Sequence, residues 1–164
     1  MSDQPSVPQD VSTVAKLLKG SRTAFLTTSD LDGRPISRPM AVQQVDFDGD
    51  LWFFAERTSR KFEQLARNPL VNVTVATDSS WVSLTGKGML VVDPARKADL
   101  WNAVVEAWFP DGKDDADVVL LHVTGESAEY WDTPGGRIAS LVSFAKAKVT
   151  GQPYSGGENE TVEL

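Results

Sequence analysis

The sequence contains no cysteine, which removes disulfides, thiolate metal sites and cysteine nucleophiles together. It contains one histidine, His122, between Leu121 and Val123. With no Cys or His companion that residue is a poor metal ligand, so a satisfied structural role is expected and no metal site is assigned. No apolar run approaches the roughly 20 residues of a membrane-spanning helix, and no membrane partner is expected. Positive charge is scarce too: 16 Lys and Arg stand against 23 Asp and Glu, a net charge of −7. A nucleic-acid binder needs a basic surface to neutralise phosphates, so that class is excluded. The first nine residues lack both the basic and the apolar stretch of an export signal, and a cytoplasmic location is expected.

Familiar catalytic patterns are missing as well. Gly86-Lys87-Gly88 does not join a strand to a helix in the dinucleotide-binding manner. The acidic stretches Asp46–Asp50 and Asp111–Asp117 place Lys, Ala or Gly wrongly for a calcium loop and read as turns. There is no Walker loop, Ser-His-Asp set or paired-carboxylate motif. Any redox or transfer chemistry must therefore come from a bound cofactor.

What is present is an ordinary globular balance: 164 residues, 41% hydrophobic and 24% charged. Residues 1–8 read as a flexible leader, 9–148 as one domain and 149–164 as a flexible acidic tail. A helix is predicted over 10–19, closed by Gly20. Strands are predicted over 23–28, 34–45, 51–55, 70–77, 81–92 and 118–131, with Asp30–Gly33 and Asp46–Asp50 as turns. Pro35 and Pro39 place the second strand at an edge or bulge, and Gly86 and Gly88 mark a bend in the fifth. Residues 58–67 are expected to be helical with Phe62, Leu65 and Ala66 inward. Asp93-Pro94 opens a helix whose buried stripe includes Leu100, Trp101, Val104, Val105 and Trp108. A last helix is predicted from Thr133-Pro134, carrying Ile138, Leu141, Val142 and Ala145. About six strands with a few flanking helices, not alternating one to one, indicate a mainly β barrel with α additions.

The segment Phe54-Ala55-Glu56-Arg57-Thr58-Ser59-Arg60-Lys61 carries the most chemical information. Thr58 and Ser59 can cap the helix, which puts Arg60 and Lys61 in its first turn. Cations there oppose the helix dipole by roughly 0.3–1 kcal/mol each. A phosphate met by free amides, a hydroxyl, a guanidinium and an ammonium would reverse that cost. The alternative is a solvated Arg-Lys pair balanced by Glu56 and Glu63. Arg38, on a Pro-flanked extended segment, faces either water or an anion. Trp101 and Trp108 read as core, while Trp52, Trp81 and Trp131 lie in or beside strands where an indole packs a core or lines an aromatic site or interface.

The arrangement resembles the pyridoxamine 5′-phosphate oxidase-like flavoproteins, and most of all their general-stress-protein branch. The Ser59-Arg60-Lys61 triplet just past an aromatic strand end carries the resemblance, with Arg38-Pro39-Met40 on the preceding strand and Glu129-Tyr130-Trp131 late in the chain. The resemblance implies an FMN-binding split barrel, with FAD as an alternative ligand, working as a homodimer with the flavin at the subunit interface. It implies Thr58, Ser59, Arg60, Lys61 and Arg38 at the phosphate, and Met40, Phe53 and Phe54 along the ring. Trp81 would approach the partner's flavin, and Trp131 matches the branch's late aromatic strand end. It leaves open a flavin-dependent oxidoreductase, a non-catalytic flavin-binding stress protein, or the same barrel holding a deazaflavin or haem. The lysine that the oxidases carry shortly after the Arg38 strand is missing, and an acidic tail replaces their basic C-terminal segment. Pyridoxamine phosphate oxidation itself is not expected.

Overall fold

Val71, Val73 and Val75 point inward while Asn72 and Thr74 point outward, the two-residue period of a strand with one buried face. The same alternation repeats through the computed structural model, which describes residues 9–43, 46–132 and 158–164. In chain order its elements are α1 (Gln9–Leu18), β1 (Thr23–Ser29), β2 (Pro35–Ala41), β3 (Asp50–Glu56), α2 (Arg60–Arg67), β4 (Leu70–Ala76), β5 (Ser80–Val91), α3 (Pro94–Leu100), α4 (Ala103–Trp108), β6 (Val118–Asp132) and β7 (Glu158–Glu163).

The strands form one antiparallel sheet in the order β2-β1-β4-β5-β6-β3. β6 pairs with β3 over its first half and with β7 over its second, while β5 runs along both halves. The sheet curls until β2 lies beside β3, yet no backbone ladder joins those two among the described residues. The result is a split β-barrel. β2 is a terminal strand, where its two prolines leave no interior ladder bond unmade. Phe53, Leu26, Leu84 and Leu121 fill the interior, each worth roughly 1.5–3 kcal/mol in buried apolar surface. The expected bend in β5 is a register shift between Thr85 and Gly86.

Three expectations need correction. The helix predicted after Asp93 is two helices, because Asn102 starts a second one: its side chain accepts from the Val104 and Val105 amides. The break turns Val104 and Trp108 outward, 62% and 74% exposed, so neither is core. Trp101 packs edge-on against Phe54, ring centroids 5.5 Å apart. In α2 the buried positions are Phe62, Gln64 and Leu65, and Ala66 is exposed. The acidic end of the chain is not loose throughout, since Glu158–Glu163 forms β7 against β6. Val162 enters the core there, and the Tyr130 hydroxyl donates to Glu160 at 2.8 Å. The helix predicted from Thr133 lies outside the described residues.

Candidate functional site

The split between β2 and β3 is a cleft of about 470 Å³, within the range of small-molecule sites. β2 contributes Pro39, Met40 and Ala41, and β3 contributes Phe54, Ala55 and Glu56. The start of α2 adds Ser59 and Lys61 at one end, while Val104, Val105, Trp108 and Phe109 of the α4 region form an apolar wall. α4 is held in place by its cap residue, since Asn102 Nδ2 donates to Gln43 Oε1 at 2.9 Å.

Ser59 occupies the N-cap of α2 but makes no side-chain cap bond. Its hydroxyl instead accepts from Lys61 Nζ at 2.6 Å. The Arg60 and Lys61 amides belong to the first turn, where no earlier helical carbonyl exists to receive them. Lys61 has no carboxylate in ion-pair range among the described residues. Burial pushes its ammonium below the usual lysine value and Arg38 pushes the same way, with Glu56 opposing.

Arg38 is half-buried and fixed from two sides. Its Nη1 donates to Thr28 Oγ1 at 2.6 Å and its Nη2 to Gln64 Oε1 at 2.9 Å. Gln64 is buried, accepts from the Thr28 hydroxyl at 2.7 Å, and donates from Nε2 to Asp30 Oδ1 at 3.0 Å. Burial, and then the Arg60 charge, lower the Arg38 guanidinium from its ordinary value, while Asp30 raises it. Arg60 turns away from the cleft and grips both Asp30 oxygens, at 2.7 and 2.6 Å. Two cations, Arg38 and Arg60, are thus joined through one carboxylate and one amide side chain.

The structure therefore brings Met40, Phe54, Ser59 and Lys61 together on one cleft, with Arg38 in electrostatic reach of Lys61. Thr58 is exposed immediately before them. The Phe53 side chain is fully buried in the core, so it can offer only backbone. Trp81 and Trp131 lie elsewhere, as cross-strand partners on β5 and β6, 46% and 37% exposed. His122 does not line the cleft. Its Nε2 is 2.8 Å from Asp50, and its ring stacks on Trp52 at 4.1 Å. Sequence reasoning missed Thr28, Asp30 and Gln64, whose roles arise only when β1, β2 and α2 meet. It also missed the α4 wall; the one available signal was a second indole one heptad beyond Trp101.

An antiparallel split barrel with a cation-rich strand-to-helix corner on an apolar cleft defines the class. The family described as "Pyridoxamine 5′-phosphate oxidase like" matches residues 9–155, and the chain belongs to that family. No curated protein matches it by sequence. Among solved structures, a chain described as a general stress protein 26 from Jannaschia sp. CCS1 is 27% identical, with a TM-score of 0.74 over 94% of this chain and 99% of that one. The general stress FMN/FAD binding protein from Xanthomonas citri is 29% identical, with a TM-score of 0.66 over 74% of this chain and 87% of that one. A protein from Clostridium acetobutylicum related to general stress protein 26 is 20% identical and shares the fold, with a TM-score of 0.69 over 94% of each chain.

Proposed function

We propose that this chain binds FMN in the cleft between β2 and β3, with the phosphate at the start of α2 and the ring against Met40, Phe54 and the β3 backbone. The carrying observation is Lys61: half-buried, free of any carboxylate partner among the described residues, and held by a hydroxyl beside a helix start. A cation so placed is costly until an anion meets it, and each charge-assisted bond to a phosphate contributes about 1.5–3 kcal/mol. The donor set suits a phosphate monoester: an ammonium, the Ser59 and Thr58 hydroxyls, first-turn amides, and Arg38 behind them. The apolar remainder suits a fused aromatic ring. The Xanthomonas citri relative's description as an FMN/FAD binding protein supports the same ligand class.

A flavin bound there would supply electron and hydride transfer. The chain's own residues would orient it: Lys61, Ser59 and Arg38 fix the phosphate end, while Phe54 and the α4 wall exclude water from the ring. Among the described residues, Glu56 is the one carboxylate lining the cleft. The reading extends to a homodimer with the flavin at the subunit interface, supported by the exposed Phe25, Trp81 and Trp131 side chains on sheet strands. The single histidine, engaged by Asp50 and Trp52, speaks against a histidine-ligated haem.

Equilibrium titration with FMN and riboflavin tests the assignment. Lys61→Ala should weaken FMN about ten- to a hundredfold and leave riboflavin nearly unchanged, because riboflavin lacks the phosphate. Equal losses for both ligands would overturn it. Reduction of bound FMN by a nicotinamide donor, with turnover of an acceptor, would make the protein an oxidoreductase; binding without turnover would make it a flavin-binding protein only.

A further inference from the structure

Of Arg38, Arg60 and Lys61, Arg60 alone has a carboxylate partner among the described residues, and the fold builds that partner in. Asp30 ends the β1 hairpin side with its side chain only 13% exposed. Its backbone is pinned on both sides: its amide donates to the Arg34 carbonyl at 2.7 Å, and its carbonyl accepts from Gly33 at 2.9 Å. Buried Gln64 then orients the carboxylate, donating to Oδ1 at 3.0 Å, and Arg60 closes on both oxygens. The same Gln64 holds Arg38 through its other end. The carboxylate therefore sits one amide side chain away from a cation assigned to the phosphate.

We propose that Asp30 is an internal counter-anion of the phosphate site, competing with the ligand's phosphate for the Arg60 guanidinium and so setting how tightly a phosphate monoester is held. The inference rests on the flavin-phosphate reading above. Arg60 and Lys61 are adjacent in the first turn of α2, so a guanidinium released from Asp30 needs only side-chain rotation to turn toward a phosphate beside Lys61. While Asp30 stays charged, Arg60 Nη2 keeps both carboxylate oxygens as charged acceptors and gains little by leaving them. The carboxyl is held below the usual aspartate value, first by the Gln64 hydrogen bond and then by the Leu31 amide, with Arg60 adding to the effect. It is thus ionised wherever a phosphate monoester is a dianion.

FMN and riboflavin titrations on the native chain, Asp30→Asn, Arg60→Ala and the double variant test this. Asp30→Asn should bind FMN about fivefold tighter, the upper end for an exposed ion pair, with riboflavin unchanged. Arg60→Ala should move FMN affinity by no more than about twofold, because Asp30 already holds the guanidinium. Adding Arg60→Ala to Asp30→Asn should erase the gain. A native chain that prefers FMN to riboflavin, with no tightening in Asp30→Asn, overturns the proposal and leaves the site assignment standing. So does an Arg60→Ala loss as large as that of Lys61→Ala. Arg60 is exposed, so that second arm decides even if Asp30→Asn does not fold. A native chain with no preference for FMN over riboflavin overturns the site assignment and this inference together.

Discussion

Gln64 Oε1 accepts from Arg38 Nη2 at 2.9 Å, so a residue of α2 with almost no exposed surface fixes the direction of a cation on β2. Gln64→Leu would keep the volume but take one hydrogen bond each from Arg38, Thr28 and Asp30, leaving them the Arg38–Thr28 and Asp30–Arg60 bonds. Each lost hydrogen bond costs about 1 kcal/mol, and the expected loss for the variant is about 3 kcal/mol. Urea unfolding of the apoprotein measures it. A loss below the error of extrapolation would show that water replaces the amide.

Gly86 faces the Thr124 carbonyl so closely that a Cβ there would stand 2.1 Å from the oxygen. The obstacle is backbone on the adjacent strand and cannot rotate aside. Gly86→Ala is therefore expected to destabilise by about 3 kcal/mol, the upper end for overpacking, and to disturb the β5–β6 register. Thermal unfolding and the amide exchange of β6 would report both.

Strands were legible because their burial alternates with a period of two, and hairpin turns because Asp and Gly mark them. Gly33 and Gly49 do take positive φ, 83° and 108°. The strand-to-helix corner was legible from local charge placed against a helix dipole. The Asp30–Gln64–Arg38 network was not, since it joins residues 26 to 34 positions apart that only the folded barrel brings together. β7 was hidden for a related reason. A short acidic segment with one valine has little strand preference of its own, and the free edge of β6 supplies what is missing. The break at Trp101 was masked by an apolar pattern that continues straight across the Asn102 cap.

Lys61 gives the site a pH signature. Burial, and then Arg38, lower its ammonium from 10.5, so the preference for FMN over riboflavin should fall as pH rises through a region below 10.5. Between that lowered value and 10.5, the folded apoprotein binds fewer protons than the unfolded chain, and its stability should rise with pH. Lys61→Arg keeps its charge throughout. It should flatten both trends, as seen in FMN/riboflavin affinity ratios and denaturant midpoints. A native ratio that stays constant up to pH 10.5 would remove Lys61 from the phosphate.

Trp81 and Trp131 are paired across β5 and β6 with large exposed surfaces. In the proposed homodimer these indoles are covered, and indoles dominate such interfaces. Trp81→Glu should shift the protein from dimer to monomer in sedimentation velocity, with its far-UV circular dichroism intact. FMN affinity should fall with it, because the flavin would lie at the lost interface. A variant that stays dimeric would move the interface away from this face.

Val162 is 3% exposed and belongs to the main core cluster, although it comes from a strand that, among the described residues, joins the sheet along β6 only. Its side chain packs into the barrel, while the ladder to Ala128 fixes its register. Truncating a buried aliphatic side chain removes transfer free energy and leaves a cavity. Val162→Ala should therefore cost about 2 kcal/mol, whereas Thr161→Ala on the exposed face should stay within about 0.5 kcal/mol. If β7 were only a loose end laid against the sheet, the two substitutions would be equally silent in thermal unfolding. A clear difference between these neighbours would establish that the acidic terminus is part of the cooperative fold.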